Sequence, residues 1–221
     1  MIVGELKPIE EIVSTISGLK KVMVVGCGGC VTVCLSGGDK QARSLALELV
    51  RPKYYDDSPP TFKVETIQRQ CEPDWLNDYF KIPDDIDAAL SMACGAGVQT
   101  LAAAFDPLPV IPALNTTFLG ATHERGVFHE MCKGCGDCVL AFTGGICPVT
   151  QCAKSLFNGP CGGSGGGTCE VSDDIPCAWT LIYRRLKAQN KLHFMTRTSP
   201  PRDWRTAGGS GPRRLVNVTS L

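Results

Sequence analysis

Eight cysteines fall between residues 132 and 177, in a stretch crowded with glycine and almost without hydrophobic period. This feature limits the possible folds most. A segment with so little apolar surface cannot offset the entropy of its own ordering by burial, so cross-links or metal must supply part of the folding energy. The whole chain of 221 residues has 13 cysteines. An odd count fits a complete disulfide set poorly, and in a reducing compartment thiols at this density read as metal ligands. The N-terminus, MIVGELKPIEEIV, lacks the basic start and apolar stretch of a signal peptide. No apolar run approaches the roughly 20 residues that span a bilayer. A cytoplasmic location without membrane insertion is therefore expected. The formal net charge is +0, so nothing global points to nucleic acid. The N-x-T triplets at Asn115 and Asn217 read as accidental in such a chain.

Residues 1–118 have a different habit, alternating helical and strand patterns. Ile9, Ile12, Val13 and Ile16 form a helical stripe, and Val22–Val25 a β-branched strand. Asp39 can cap a helix carrying Ala42, Leu45, Ala46 and Leu49. Phe62–Ile67, Ala88–Ala93 and Val110–Ile111 read as further strands, with Pro73–Phe80 and Val98–Phe105 as helices. The expected fold is α/β, a small Rossmann-like parallel sheet of about four strands with helices on both faces.

Residues 119–191 read as a cysteine-rich, loop-dominated domain. It ends in a helix started by Asp173, Asp174 and Pro176, with Trp179, Ile182, Tyr183 and Leu186 on one face. Residues 192–221 read as an extended basic tail. From Arg184 to Arg214 nine Lys and Arg face one acid, Asp203. Such an arm is either solvated or a strap that orders on a partner subunit, with Trp204 as its apolar anchor.

The stretch CKGCGDCVLAFTGGICPVTQC presents Cys132, Cys135, Cys138, Cys147 and Cys152. Three cysteines spaced C-x2-C-x2-C with a later Cys-Pro are locally similar to the ferredoxin run. One tight loop can offer three thiolates to three irons, and the intervening glycines let backbone N–H groups turn toward sulfur. A [4Fe–4S] cluster held by four of these five is expected, with zinc as the competing metal. Cys161, Cys169 and Cys177, with whichever of Cys147 or Cys152 is spare, could hold a third cluster or a zinc ion.

A second constellation is spread along the chain. Cys27, Cys30 and Cys34 lie in VVGCGGCVTVC after the first strand, Cys71 follows the second and Cys94 ends the third. In a parallel sheet these positions share the carboxyl-end rim, where open α/β sheets place ligands. Four of these five are expected to hold another [4Fe–4S] cluster. A dinucleotide fits worse: Gly26-x-Gly28 begins G-x-G-x-x-G, but the third position is Val31. The strand that should end in a ribose-binding acid ends in Gln70 and Cys71. His123, His129 and His193 form no catalytic arrangement, and Asp56–Asp57 and Asp84–Asp85 read as solvated loop acids.

The elements GCGGCVTVC, QRQC, SMACGAGVQ, CGDC, GGICPVTQCAKSLFNGPCGG, GTCEVS and PCAWTLIYRRL follow one another in this order. From about Pro8 to Arg214 the chain resembles the small iron–sulfur (MetV-type) subunit of two-subunit methylenetetrahydrofolate reductases. Its second half is similar to the cysteine-rich C-terminal region of some methylenetetrahydrofolate reductases. The resemblance implies a non-catalytic electron-transfer subunit with no catalytic residues of its own, working in one-carbon metabolism of the Wood–Ljungdahl type. It implies a partner with FMN or FAD on a (β/α)8 barrel, where folate is reduced, and a further ferredoxin- or NADH-linked electron-input module. The rival expectation is a zinc-stabilised structural subunit of the same complex without a redox role. A third is an enzyme with a substrate-binding cluster on the N-terminal domain.

Overall fold

The computed structural model describes residues 1–56, 58–207 and 212–215. Asp57, Asn217 and the remainder of the tail lie outside the described residues. The chain divides into two compact units, 1–129 and 130–221.

In the first unit the order is β1 (Ile2–Leu6), α1 (Ile9–Ile16), β2 (Lys21–Cys27), α2 (Cys30–Val33), α3 (Asp39–Leu49), β3 (Thr61–Ile67), α4 (Pro73–Tyr79), β4 (Ala88–Ser91), α5 (Gly95–Ala104), β5 (Val110–Pro112) and β6 (Leu114–Glu124). Strand β7 (Val127–Cys132) runs to the start of the second unit. Four strands form a parallel sheet in the order β3-β2-β4-β5, as the alternating pattern predicts. Strand β2 is buried on both faces, and its side chains divide between two cores. Val22 and Val24 join Ile12 and Ile16 of α1 and Leu45 and Leu49 of α3. Met23 and Val25 join Leu76 of α4, Phe80 and Leu101 of α5.

The sheet β1-β6-β7 is absent from the sequence reading. Its strands β1 and β6 pair antiparallel from Ile2↔Leu119 to Leu6↔Leu114. Most of β6 is exposed, so LNTTFLGATHE lacks the alternation that marks a strand. Strand β6 also continues across the boundary drawn at residue 118. Helix α5 begins at Gly95 rather than Val98, and Asp39 is the first residue of α3, after Gly38, rather than its cap.

The second unit continues with α6 (Pro148–Gln151), β8 (Thr168–Cys169), β9 (Ser172–Pro176) and α7 (Ala178–Ala188). The start of the last helix is corrected: Asp173, Asp174 and Pro176 belong to β9, and Cys177 is the N-cap of α7. Tyr183 is exposed, so the buried face is Ala178, Trp179, Ile182 and Leu186. Among the described residues of this unit, Trp179, Ile182 and Leu186 form the buried cluster, a small core for its length. The tail through Arg205 is not a free arm. Leu192–Thr196 forms a 3-10 turn, and Arg197 lies over the Phe142 ring at 3.5 Å. Asn158 and Ser199 exchange hydrogen bonds of 2.9 and 2.8 Å. Among the described residues, no helix is long and apolar enough to cross a membrane.

Candidate metal centres

The carboxyl-end rim of the parallel sheet is built by three loops. Strand β2 ends at Cys27, turns through Gly28–Gly29 and enters α2 at Cys30. The turn is tied down: Gly28 N–H donates to Ile67 O at 2.8 Å, and Thr32 Oγ1 donates to Cys27 O at 2.6 Å. A Cβ on Gly28 would stand 3.2 Å from the Gln68 carbonyl, so the glycine permits close approach of the loop after β3. That loop carries Cys71. The loop after β4 brings Cys94 to the N-cap of α5.

These loops border an open cavity of about 490 Å³ lined by Cys27, Cys30, Cys71 and Cys94 together. Burial pushes the Cys71 thiol up, and the neighbouring Cys94 and Cys27 thiols push the same way. Arg69 is paired with Glu72 at 2.7 Å, which raises it, and lies close enough to Cys71 and Cys30 for both to add to that rise. Cys34 does not line the cavity. It is 5% exposed in the hydrophobic core, with Sγ 3.0 Å from Ser36 Oγ and 3.6 Å from Val31 O.

A buried residue whose structural role the sequence does not reveal holds these loops together. Gln70 is fully buried, and its Nε2 donates to the carbonyls of Val25 and Gly26 at 2.9 and 3.0 Å. Gln70 therefore links the residue before Cys71 to the strand that leads to Cys27. The sequence shows only a polar residue in QRQC, and burial of an amide is invisible without the fold.

In the second unit, Gly134 N–H donates to Cys132 Sγ at 3.3 Å and Gly163 N–H to Cys161 Sγ at 3.5 Å. Gly134 and Gly136 both have left-handed φ, 60° and 77°, which bends CKGCGDC into the tight loop its spacing requires. Cys147 lines a separate groove of about 690 Å³ with Met131, Leu181 and Arg184. Cys152, Cys161, Cys169 and Cys177 all line one cavity of about 20 Å³. Burial raises the Cys177 thiol, yet the Thr180 hydroxyl, the Thr180 N–H, the Ser164 hydroxyl and the Trp179 N–H outweigh it, so the net shift is downward. A thiolate at this helix N-terminus is stabilised. His129 stacks on His123 with centroids 4.5 Å apart.

Residues 111–205 match the family described as Methylene-tetrahydrofolate reductase C terminal. The match takes in every cysteine of the second unit and the tail as far as Arg205. No curated protein and no solved structure matches the chain. The connection to methylenetetrahydrofolate reductase thus rests on this C-terminal region.

All the cysteines are free thiols. Among the described residues, no three His, Cys, Asp or Glu side chains stand together as a set that could hold a metal ion. Thiols around a single ion approach one another to about 3.8 Å, from a Zn–S distance of about 2.3 Å in a tetrahedron. A cubane holds its four thiolates farther apart. The donor set of the 490 Å³ cavity, four thiols on a glycine-lined rim, fits a cubane in number and chemistry.

Proposed function

We propose that this chain is an iron–sulfur electron-transfer subunit serving a methylenetetrahydrofolate reductase whose flavin and folate sites lie on a separate (β/α)8 subunit. The observation that carries the reading is the convergence of Cys27, Cys30, Cys71 and Cys94, from three different strand ends, on one cavity. The family match of residues 111–205 names the system. Among the described residues the only parallel sheet has four strands, so these residues do not build an eight-stranded barrel.

Cys27, Cys30, Cys71 and Cys94 would hold one [4Fe–4S] cluster, and Cys132, Cys135, Cys138 and Cys147 a second. When bound, such clusters supply one-electron relays that can feed a flavin in single steps. The chain's own residues do the rest. Gly28 and Gly29 let the backbone curl under the cavity, and Gln70 fixes the loop before Cys71 against β2. Val31 and Ala93, both buried, supply part of the apolar lining beside Met1 and Val33. Electrons would enter from a ferredoxin- or NADH-linked module and leave for the partner's flavin.

The rival zinc-stabilised reading is favoured at one place only. The cavity shared by Cys152, Cys161, Cys169 and Cys177 is about 20 Å³, little more than one water-sized sphere. The four thiols would have to close further on a single ion, and zinc there would join segments that share a small core. Anaerobic purification followed by iron, zinc and sulfide analysis tests both readings. About eight irons, taking four per cubane, and about one zinc per chain are expected. Zinc without sulfide would sink the electron-transfer role. The isolated chain is expected to lack folate reductase activity, and robust activity without a second protein would overturn the division of labour.

A further inference from the structure

We propose that Arg202 is a positioning residue that sets the charge environment of the cluster bound by Cys135, and that it anchors the tail of the second unit as a strap over that cluster. The inference rests on the reading that the C-x2-C-x2-C loop holds a cluster.

The side chain of Arg202 is 2% exposed, and its Nη1 donates to Cys135 Sγ at 2.6 Å. Among the described residues, the ion-pair partner of Arg202 is Asp137 Oδ2 at 3.9 Å, on a side chain 70% exposed. The Arg202 Nε is buried without a hydrogen-bond partner among the described residues. Rings flank the guanidinium, with centroids 5.7 Å away at Phe157 and 5.6 Å at Trp204. A cation taken out of water in this way is costly unless it faces an anion. A solvent-facing carboxylate at 3.9 Å is a weak counter-charge. A metal-bound cysteine carries thiolate charge, and Arg202 is aimed at such a sulfur.

Asn158 holds the strap upstream of this point at Ser199, and downstream Asp203 accepts from Arg205 N–H at 3.0 Å in a local turn of the strap itself. Nine basic residues against one acid thus read differently from a solvated arm, because at least one is committed to a sulfur. Adding one electron to a cluster makes it one charge more negative, with no bond made or broken. A buried guanidinium at a ligating sulfur stabilises that reduced state and raises its potential.

The test uses the anaerobically purified full chain, with iron and sulfide counted and each cluster titrated potentiometrically by electron paramagnetic resonance. In Arg202→Gln the iron should stay while one cluster becomes harder to reduce. The expected change is about tenfold in the reduced-to-oxidised ratio at fixed potential, equivalent to about 59 mV for one electron. Arg202→Lys should restore most of the shift, and the other cluster should not move. Unchanged potentials in an iron-replete Arg202→Gln protein overturn the proposal. Should Arg202→Gln lose iron, retention by Arg202→Lys at the wild-type potential supports the role of charge. Loss in Arg202→Lys as well makes the role one of packing and overturns it. Failure of the underlying reading shows separately, as wild-type protein without sulfide.

Discussion

Ser91 Oγ donates to Gln70 Oε1 at 2.7 Å, and both side chains are fully buried. The same Gln70 amide donates to Val25 and Gly26 on β2. One side chain thereby couples the three loops that carry Cys27, Cys71 and Cys94. The coupling matters because a four-thiolate site needs its donors held by a supporting layer.

Gln70→Ala should destabilise the metal-free chain by about 2–4 kcal/mol, since it removes three buried hydrogen bonds and leaves a void. Ser91→Ala, which removes the bond to Gln70 and the weaker one from Ala93 N–H at 3.3 Å, should cost about 1–2 kcal/mol. Urea unfolding of the apo proteins measures both. Iron content after anaerobic reconstitution should fall in the same order, and full iron retention by Gln70→Ala would refute the coupling.

Gly97 makes a second, less obvious prediction. It lies within α5, where Ala normally improves a helix by about 1 kcal/mol over Gly. Here an added Cβ would stand 2.7 Å from Ala93 Cβ and 3.0 Å from Gln70 Cβ. Overpacking of this kind costs about 1–3 kcal/mol, so the sign reverses and Gly97→Ala should destabilise. A lower urea midpoint checks it; a higher one contradicts the close packing of α5 on the Gln70 loop.

The sequence makes the parallel sheet legible because β2, α1 and α3 have strong periods and bury whole faces. The convergence of Cys27, Cys30, Cys71 and Cys94 follows from topology alone, since parallel strands end on one rim. The β1-β6-β7 sheet is hidden because its strands are largely solvent-facing and carry little alternation. Asp173, Asp174 and Pro176 mislead for a related reason. They are the usual signs of a helix start, but the β8–β9 pairing claims them and Cys177 takes the cap. Gln70 and Arg202 are illegible because their importance lies in burial, which composition does not report.

Asp87 should give the fold a definable acid limb. Its carboxylate accepts the backbone N–H of Lys21 at 2.8 Å and of Lys20 at 2.7 Å, where β2 begins. These bonds, Lys21 first, hold the carboxyl below its ordinary value. The folded value is depressed, so the stabilisation is fully present above the unfolded value of about 3.9 and is lost as pH falls through the folded one. Asp87→Asn should therefore lower Tm at neutral pH, with the gap to wild type closing below about pH 4. Thermal melts across that range measure it, and a gap independent of pH would show that the charge is irrelevant.

Cys34 and Cys94 separate a core thiol from a cavity thiol. Both are cysteines of the same constellation, but Cys34 Sγ sits against Ser36 Oγ in the core while Cys94 lines the cavity at the N-cap of α5. Cys34→Ser would place a hydroxyl where the thiol already makes polar contacts, so its cost should be about 1 kcal/mol with iron retained. Cys94→Ala removes a donor that no other thiol on the cavity replaces, since Cys34 is packed in the core and does not line it. About four irons per chain should be lost, taking a cubane as the unit, while those of the second unit stay. Iron analysis and the visible absorption of anaerobically purified variants measure this contrast. Equal iron loss in Cys34→Ser and Cys94→Ala would return Cys34 to the ligand set and require α2 to turn when the site is filled.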